Sequence, residues 1–347
     1  MLRELQVLPE GLLDLAADQL HGCLGGPTLI HLPGRREPAL FVSVLMHGNE
    51  TTGWETVRAL LAGYQPGGGS QPLPRALSLF IGNTAAAAQG LRHLPGQPDY
   101  NRVWPGSDTG GTAEHALMAS VVERMRGRGV FASVDLHNNT GLNPHYACVN
   151  VLDTATLHLA AVFGRTLVYF VRPRGVASMA MAALGPSVTL ECGKVGQSHG
   201  VEHALRYLEA CLHLSEHPQH ALPPRDLDLY HTVAVVKVPR EVRFGFGGDG
   251  LDLDLVDDLD RLNFRELPAG TLIARVSPDG NGLPLDVRDE QDREVAGRYF
   301  TLADGEVRTR CALMPSMLTR DLDVIRQDCL CYLMERYDEH LEDAASA

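Results

Sequence analysis

The stretch "ALFVSVLMHGNETTGW", residues 39–54, decides how this chain is read. An apolar run from Ala39 to Met46 stops at His47, and Glu50 follows after Gly48 and Asn49. A short β-rich run bounded by turn residues reads as a buried strand, and the residues just after it read as the start of a helix. Such a strand ends in an imidazole and a carboxylate for one of two reasons. Either this is a polar strand end before an ordinary helix cap, or two ligands are held out for a metal.

Similar runs recur outward from this one. "PTLIHL" (27–32), "ALSLFIG" (76–82), "VFASVDL" (130–136), "TLVYFV" (166–171) and "SVTLEC" (187–192) read as strands. Helical patterns lie between them near 54–63, 113–127, 154–163 and 200–216. Alternation of this kind predicts an α/β domain with a mainly parallel or mixed sheet covered by helices on both faces. Ligands in such sheets bind beyond the carboxyl ends of the strands, where His47 and His137 both fall.

The catalytic α/β domain is expected over 1–220. "SEHPQHALPPRDLD" (215–228) reads as a linker. After it, "YHTVAVVKVP", "GTLIARV", "LPLDVR" and "GRYFTL" are short strands between Gly, Pro and Asp turns, which predicts a small β domain over 229–315. The tail carries apolar residues at Leu322, Ile325, Cys329, Tyr332 and Leu333, and 316–347 is expected to close the molecule as a helix.

Charge and cysteine usage narrow the function. The 347 residues carry 43 acidic against 30 basic side chains, a net charge of −13, which argues against nucleic acid and anionic membranes as partners. No apolar run approaches about 18 residues, so no membrane span is expected. The first residues, "MLRELQVLPEGLLDLAADQL", lack a basic start before an apolar block, and a cytoplasmic location is the expectation. Seven scattered cysteines fit reduced thiols better than a disulfide framework. The aspartates of "GGDGLDLDLVDDLD" (247–260) do not have the spacing of a calcium-binding loop.

A catalytic zinc commonly takes three protein ligands and leaves a position for water. "SVDLHNNTG" (133–141) offers the third ligand, His137, and places Asp135 on the same strand face, where it could orient a ligand. "DYNRVWPG" (99–106) supplies Asn101 and Arg102, with Arg92 upstream; an arginine fork suits a substrate carboxylate. "SVTLECG" (187–193) ends a strand in Glu191, a natural general base beside a metal.

Taken in order, His47-x-x-Glu50, Asn101-Arg102, Asp135-Leu136-His137 and Glu191 resemble the succinylglutamate desuccinylase/aspartoacylase family, related to the zinc carboxypeptidases. The resemblance implies one Zn2+ per chain held by His47, Glu50 and His137. It implies a substrate carboxylate on Asn101 and Arg102, a carbonyl polarised by Arg92, and Glu191 as general base. Asn138 is a further candidate for substrate contact, and Arg172, Arg174 and Tyr299 are candidates for specificity. The chain departs from the family where Thr84 follows Asn83 in "GNTAAAAQG" (82–90), a position at which the family often has proline. The implied activity is hydrolysis of a small anionic N-acyl amino acid or similar N-acylated amine. A zinc carboxypeptidase is the alternative, and a non-catalytic binding protein with this fold is the third reading. A homo-oligomer is left open.

Overall fold

The apolar runs become strands at nearly the places their pattern marks. In the computed structural model, which describes residues 2–64, 71–277 and 282–337, nine strands carry the first two thirds of the chain. They are β1 (Arg3–Leu5), β2 (Thr28–Leu32), β3 (Ala39–Val44), β4 (Leu77–Ile81), β5 (Val130–His137), β6 (Tyr146–Val149), β7 (Thr166–Tyr169), β8 (Ser187–Glu191) and β9 (Asp228–Lys237). Their order across the sheet is β1-β2-β4-β3-β5-β8-β6-β7-β9. The central trio β3, β5 and β8 is parallel, with β4 parallel on its outer side. Every residue of β3, β4, β5 and β8 is buried, the pattern of a sheet covered on both faces.

Strand alternation sorts the core into two layers. Leu40, Val42 and Val44 of β3 face a cluster that includes Trp54, Val57 and Leu60 of helix Thr52–Ala62 and Leu208 and Leu212 of helix Ser198–His213. Phe41 faces the opposite cluster with Phe80 and with Met118, Val121 and Met125 of helix Ala113–Arg128. Each fully buried aliphatic side chain contributes about 1.5–3 kcal/mol, so these layers hold the strand ends in fixed positions.

The rest of the chain departs from the expected plan. A second, five-stranded sheet is built from β10 (Phe244–Gly245), β11 (Leu253–Leu255), β12 (Leu272–Val276), β14 (Phe300–Ala303) and β15 (Glu306–Thr309). However, β13 (Asp286–Asp289), β16 (Met314–Ser316) and β17 (Cys331–Arg336) extend the large sheet, on β9. The large sheet therefore runs to twelve strands and carries the smaller one at its far end. Residues Val236, Val287 and Leu333 share one core with Leu253, Ile273 and Val307 of the smaller sheet.

The expected closing helix over 316–347 shrinks to Leu322–Gln327, and β17 takes the residues after it; 338–347 lie outside the described residues. The run Cys329–Met334 is apolar at nearly every position, and a short run of that kind fits helix and strand alike. What decides is the open side of β9, whose backbone groups need partners that a strand provides and a helix does not. Among the described residues, no helix is long and apolar enough to cross a membrane.

Candidate active site

Beyond Val44 the backbone turns sharply. Leu45 adopts φ +57°, a left-handed conformation that is unfavourable for a bulky residue and typical of functional turns. The turn carries His47 and Glu50 back over the end of the sheet. Gly48 lies against the chain segment Ala86–Ala87 so closely that a Cβ would collide with its backbone, and its N–H donates to the Arg92 carbonyl at 3.0 Å. Glycine is required here by close approach.

Strand β5 ends in His137, and the parallel register of β5 with β8 sets His137 opposite Glu191. These strand ends converge with the turn. Glu50 bridges the two imidazoles: Oε1 lies 2.7 Å from His47 Nδ1, and Oε2 lies 2.8 Å from His137 Nδ1. The backbone N–H of Asn138 fixes the same carboxylate at 3.0 Å. All three side chains are buried, and their ligand atoms lie within 4.8 Å of one another.

The far side of each imidazole is held as well. His47 Nε2 donates to Asp99 Oδ1 at 3.0 Å, and His137 Nε2 donates to Asp135 Oδ2 at 2.7 Å. Asp135 is itself held by Ser43 Oγ at 2.6 Å, from the register partner in β3. Carboxylates in these positions orient metal-binding histidines and raise their basicity. Burial pulls the His137 pKa down, but the Asp135 and Glu50 charges more than reverse it, leaving it well above its ordinary value. Glu50 resists burial in the same way, and the two imidazoles hold its carboxyl far below the usual range. Two Nδ1 atoms and a carboxylate aimed at one point form a donor set suited to a divalent cation such as zinc.

Glu191 differs from these carboxylates. It is buried, its Oε2 has no hydrogen-bond partner, and burial pushes its carboxyl up to about 7, with His137 opposing and Glu50 reinforcing. An uncompensated carboxylate beside a cation site is a group poised to exchange protons near neutral pH.

Arg92 and Arg102 reach the same place. Arg92 Nη1 lies 3.7 Å from Glu50 Oε1, and Arg92 Nη2 donates to Asp99 at 2.9 Å and to Asp328 at 3.2 Å. Arg102 Nη2 donates to Asp328 Oδ1 at 2.7 Å and sits 3.4 Å from Tyr332 Oη. A cavity of about 90 Å³ opens against these groups, with Tyr146, Val168, Phe170, Val176 and Met317 as its apolar wall. That is well under the roughly 300 Å³ lower bound of pockets for larger ligands, so the cavity suits a small group.

The amide side chains are engaged inside the protein. Asn138 donates to Thr52 Oγ1 and the Gly193 carbonyl, and its Oδ1 accepts from the Thr52 N–H. These bonds tie the turn to helix Thr52–Ala62, while Asn138 also lines the cavity. Asn101 Oδ1 accepts from the Ala177 N–H, and its Nδ2 lies 3.2 Å from His137 Nε2. Tyr299 is buried in the core of the smaller sheet, away from the cavity, while Arg172 lines the cavity and pairs with Asp108. Sequence reasoning missed Asp99, Asp328 and Tyr332. Asp99 had a usable signal, since an aspartate two residues before Asn101 is a natural cap, and it does accept from the Asn101 N–H.

A buried His-Glu-His set beyond the strand ends, with the Glu191 carboxylate beside it, defines a candidate metallohydrolase site on an α/β sheet. Residues 36–217, more than half of the chain, match the succinylglutamate desuccinylase/aspartoacylase catalytic domain. The chain belongs to this family of hydrolytic deacylases. Among solved structures it is similar to the succinylglutamate desuccinylase/aspartoacylase from Rhodobacter sphaeroides (17% identity, 88% of each chain, TM-score 0.56). It is similar also to the succinylglutamate desuccinylase from Chromobacterium violaceum (17% identity, 87% of this chain and 86% of that one, TM-score 0.55). Murine aminoacylase 3 shares the fold too (16% identity, 87% and 97%, TM-score 0.53). None of the curated proteins matches the chain by sequence.

Proposed function

We propose that this chain is a zinc-dependent deacylase that hydrolyses the amide bond of a small N-acylated amine or amino acid. The observation that carries the reading is the turning of both imidazole Nδ1 atoms onto Glu50 while Asp99 and Asp135 hold their Nε2 atoms. His47, Glu50 and His137 would hold one Zn2+ per chain. When bound, zinc supplies a Lewis acid and makes hydroxide-like water accessible near neutral pH.

The chain's own residues do the rest. Glu191 takes a proton from the attacking water and passes it to the amide nitrogen as the C–N bond breaks. Arg92 brings a fixed positive charge to within 3.7 Å of Glu50, where an oxyanion would develop, and so favours the transition state. Arg102, set by its hydrogen bond to the Asn101 carbonyl at 2.9 Å, lines the cavity and would face the substrate there. The apolar wall of the cavity excludes water from the bound substrate. The products are a carboxylic acid and a free amine. The small cavity and the family favour this reading over a peptidase, whose substrate is larger.

The test is release of acid and amine from N-acetyl and N-succinyl amino acids and amines, with short peptides as the comparison. Turnover confined to one acyl class supports the deacylase. Turnover of peptides alone would move the assignment to the carboxypeptidases, and a zinc-loaded chain inert toward all of them would leave a binding protein.

A further inference from the structure

Two of the pocket arginines, Arg92 and Arg102, end on one carboxylate of the chain itself. Asp328 Oδ2 accepts from Arg92 and Oδ1 from Arg102, and its side chain is only 14% exposed. Asp328 is anchored on both sides. Its N–H donates to the Val324 carbonyl at 2.9 Å at the end of helix Leu322–Gln327, and the Leu330 N–H donates to Val236 of β9 at 2.8 Å. A carboxylate just past the carbonyl end of a helix is electrostatically misplaced for the helix, so the arginines account for its stability there. Burial would raise the Asp328 carboxyl, and Arg102 and Arg92 more than reverse this.

The third pocket arginine is matched too, with Arg172 Nη1 donating to Asp108 at 2.8 Å. Among the described residues that line the pocket, each arginine is therefore paired with an aspartate of the chain. A substrate carboxylate placed on the Arg102 fork would share it with Asp328, two like charges on one guanidinium.

We propose that Asp328 determines specificity: by neutralising Arg92 and Arg102 it fits the pocket to N-acylated amines with no carboxylate on the carbon bearing the amide nitrogen, in place of N-acyl α-amino acids. This deepens the deacylase reading and rests on it. The reaction is unchanged, with water added across the C–N bond to give an acid and an amine.

N-acetyl-L-leucine and N-(3-methylbutyl)acetamide differ only in that carboxylate, and their N-succinyl counterparts form a second pair. For the zinc-loaded wild type and Asp328→Asn, affinities are measured by calorimetry and kcat/KM in parallel. The wild type should favour the carboxylate-free member by at least about tenfold, and Asp328→Asn should shift the ratio toward the acid by a similar factor. A wild type that takes the acid equally well or better overturns the proposal, and this ranking needs no variant. So does an Asp328→Asn chain in which both members gain alike, because Asp328 would then be a general plug. If the affinities rank as expected and nothing is hydrolysed, the deacylase reading fails and the pocket assignment stands.

Discussion

Glu191 concentrates the proposed chemistry in one side chain, because a carboxyl lifted to about 7 by burial can both accept and return a proton at neutral pH. Glu191→Gln should keep its zinc and lose about 10²–10⁴-fold in kcat, read by steady-state kinetics beside elemental analysis. Below its pKa Glu191 is protonated and cannot accept, so wild-type kcat/KM should rise with pH along an acid limb at or below about 7. Asp135→Asn should leave the fold intact and weaken zinc binding by about 10–100-fold in competition with a chelator, because His137 loses the carboxylate that orients it. His47, His137 and Glu191 were legible as candidates at this scale because each closes an apolar run, and Glu50 because it follows His47 on the same turn. Asp328 was not: its partners lie 236 and 226 residues away in sequence, and no local pattern encodes that meeting.

The elements that carry the site explain why its short turn tolerates so little change. Between His47 and Glu50 the chain passes against Ala86–Ala87, and Gly48→Ala would force the two segments apart. A loss of about 1–3 kcal/mol in chemical unfolding is expected, with zinc affinity falling because the turn carries two of the three proposed ligands. Six strands and four helices of the α/β part follow from apolar runs and their periods. β6 was missed because "YACV" is a four-residue run with none of the flanking length that marked the others. The tail was read as a helix because Leu322, Ile325, Cys329, Tyr332 and Leu333 have helical spacing, but the run Cys329–Met334 fits a strand equally, and the open side of β9 decided its conformation.

Across the whole molecule, the C-terminal segment supplies the charge that balances buried Arg92 and half-buried Arg102, and this couples stability to pH. Asp328 and Asp99 have carboxyl pKa values lowered in the folded state, against about 3.9 in an unfolded chain. Their contribution is full above that value and is lost as pH falls through the folded values. The unfolding free energy of the metal-free wild type should therefore drop between about pH 5 and pH 3, and Asp328→Asn, although less stable at neutral pH, should show a shallower drop over that window. The overall α/β class and the second sheet were readable from the order of runs. The continuity of the large sheet through β9, β13, β16 and β17 was not, since it depends on pairing between distant segments. The central claim is that His47, Glu50 and His137 hold a metal, and elemental analysis of the purified, zinc-equilibrated chain and of a His137→Ala variant tests it most directly. The account predicts one zinc per wild-type chain and a marked loss in the variant. A folded wild-type chain that carries no zinc, or a variant that retains it in full, would contradict it.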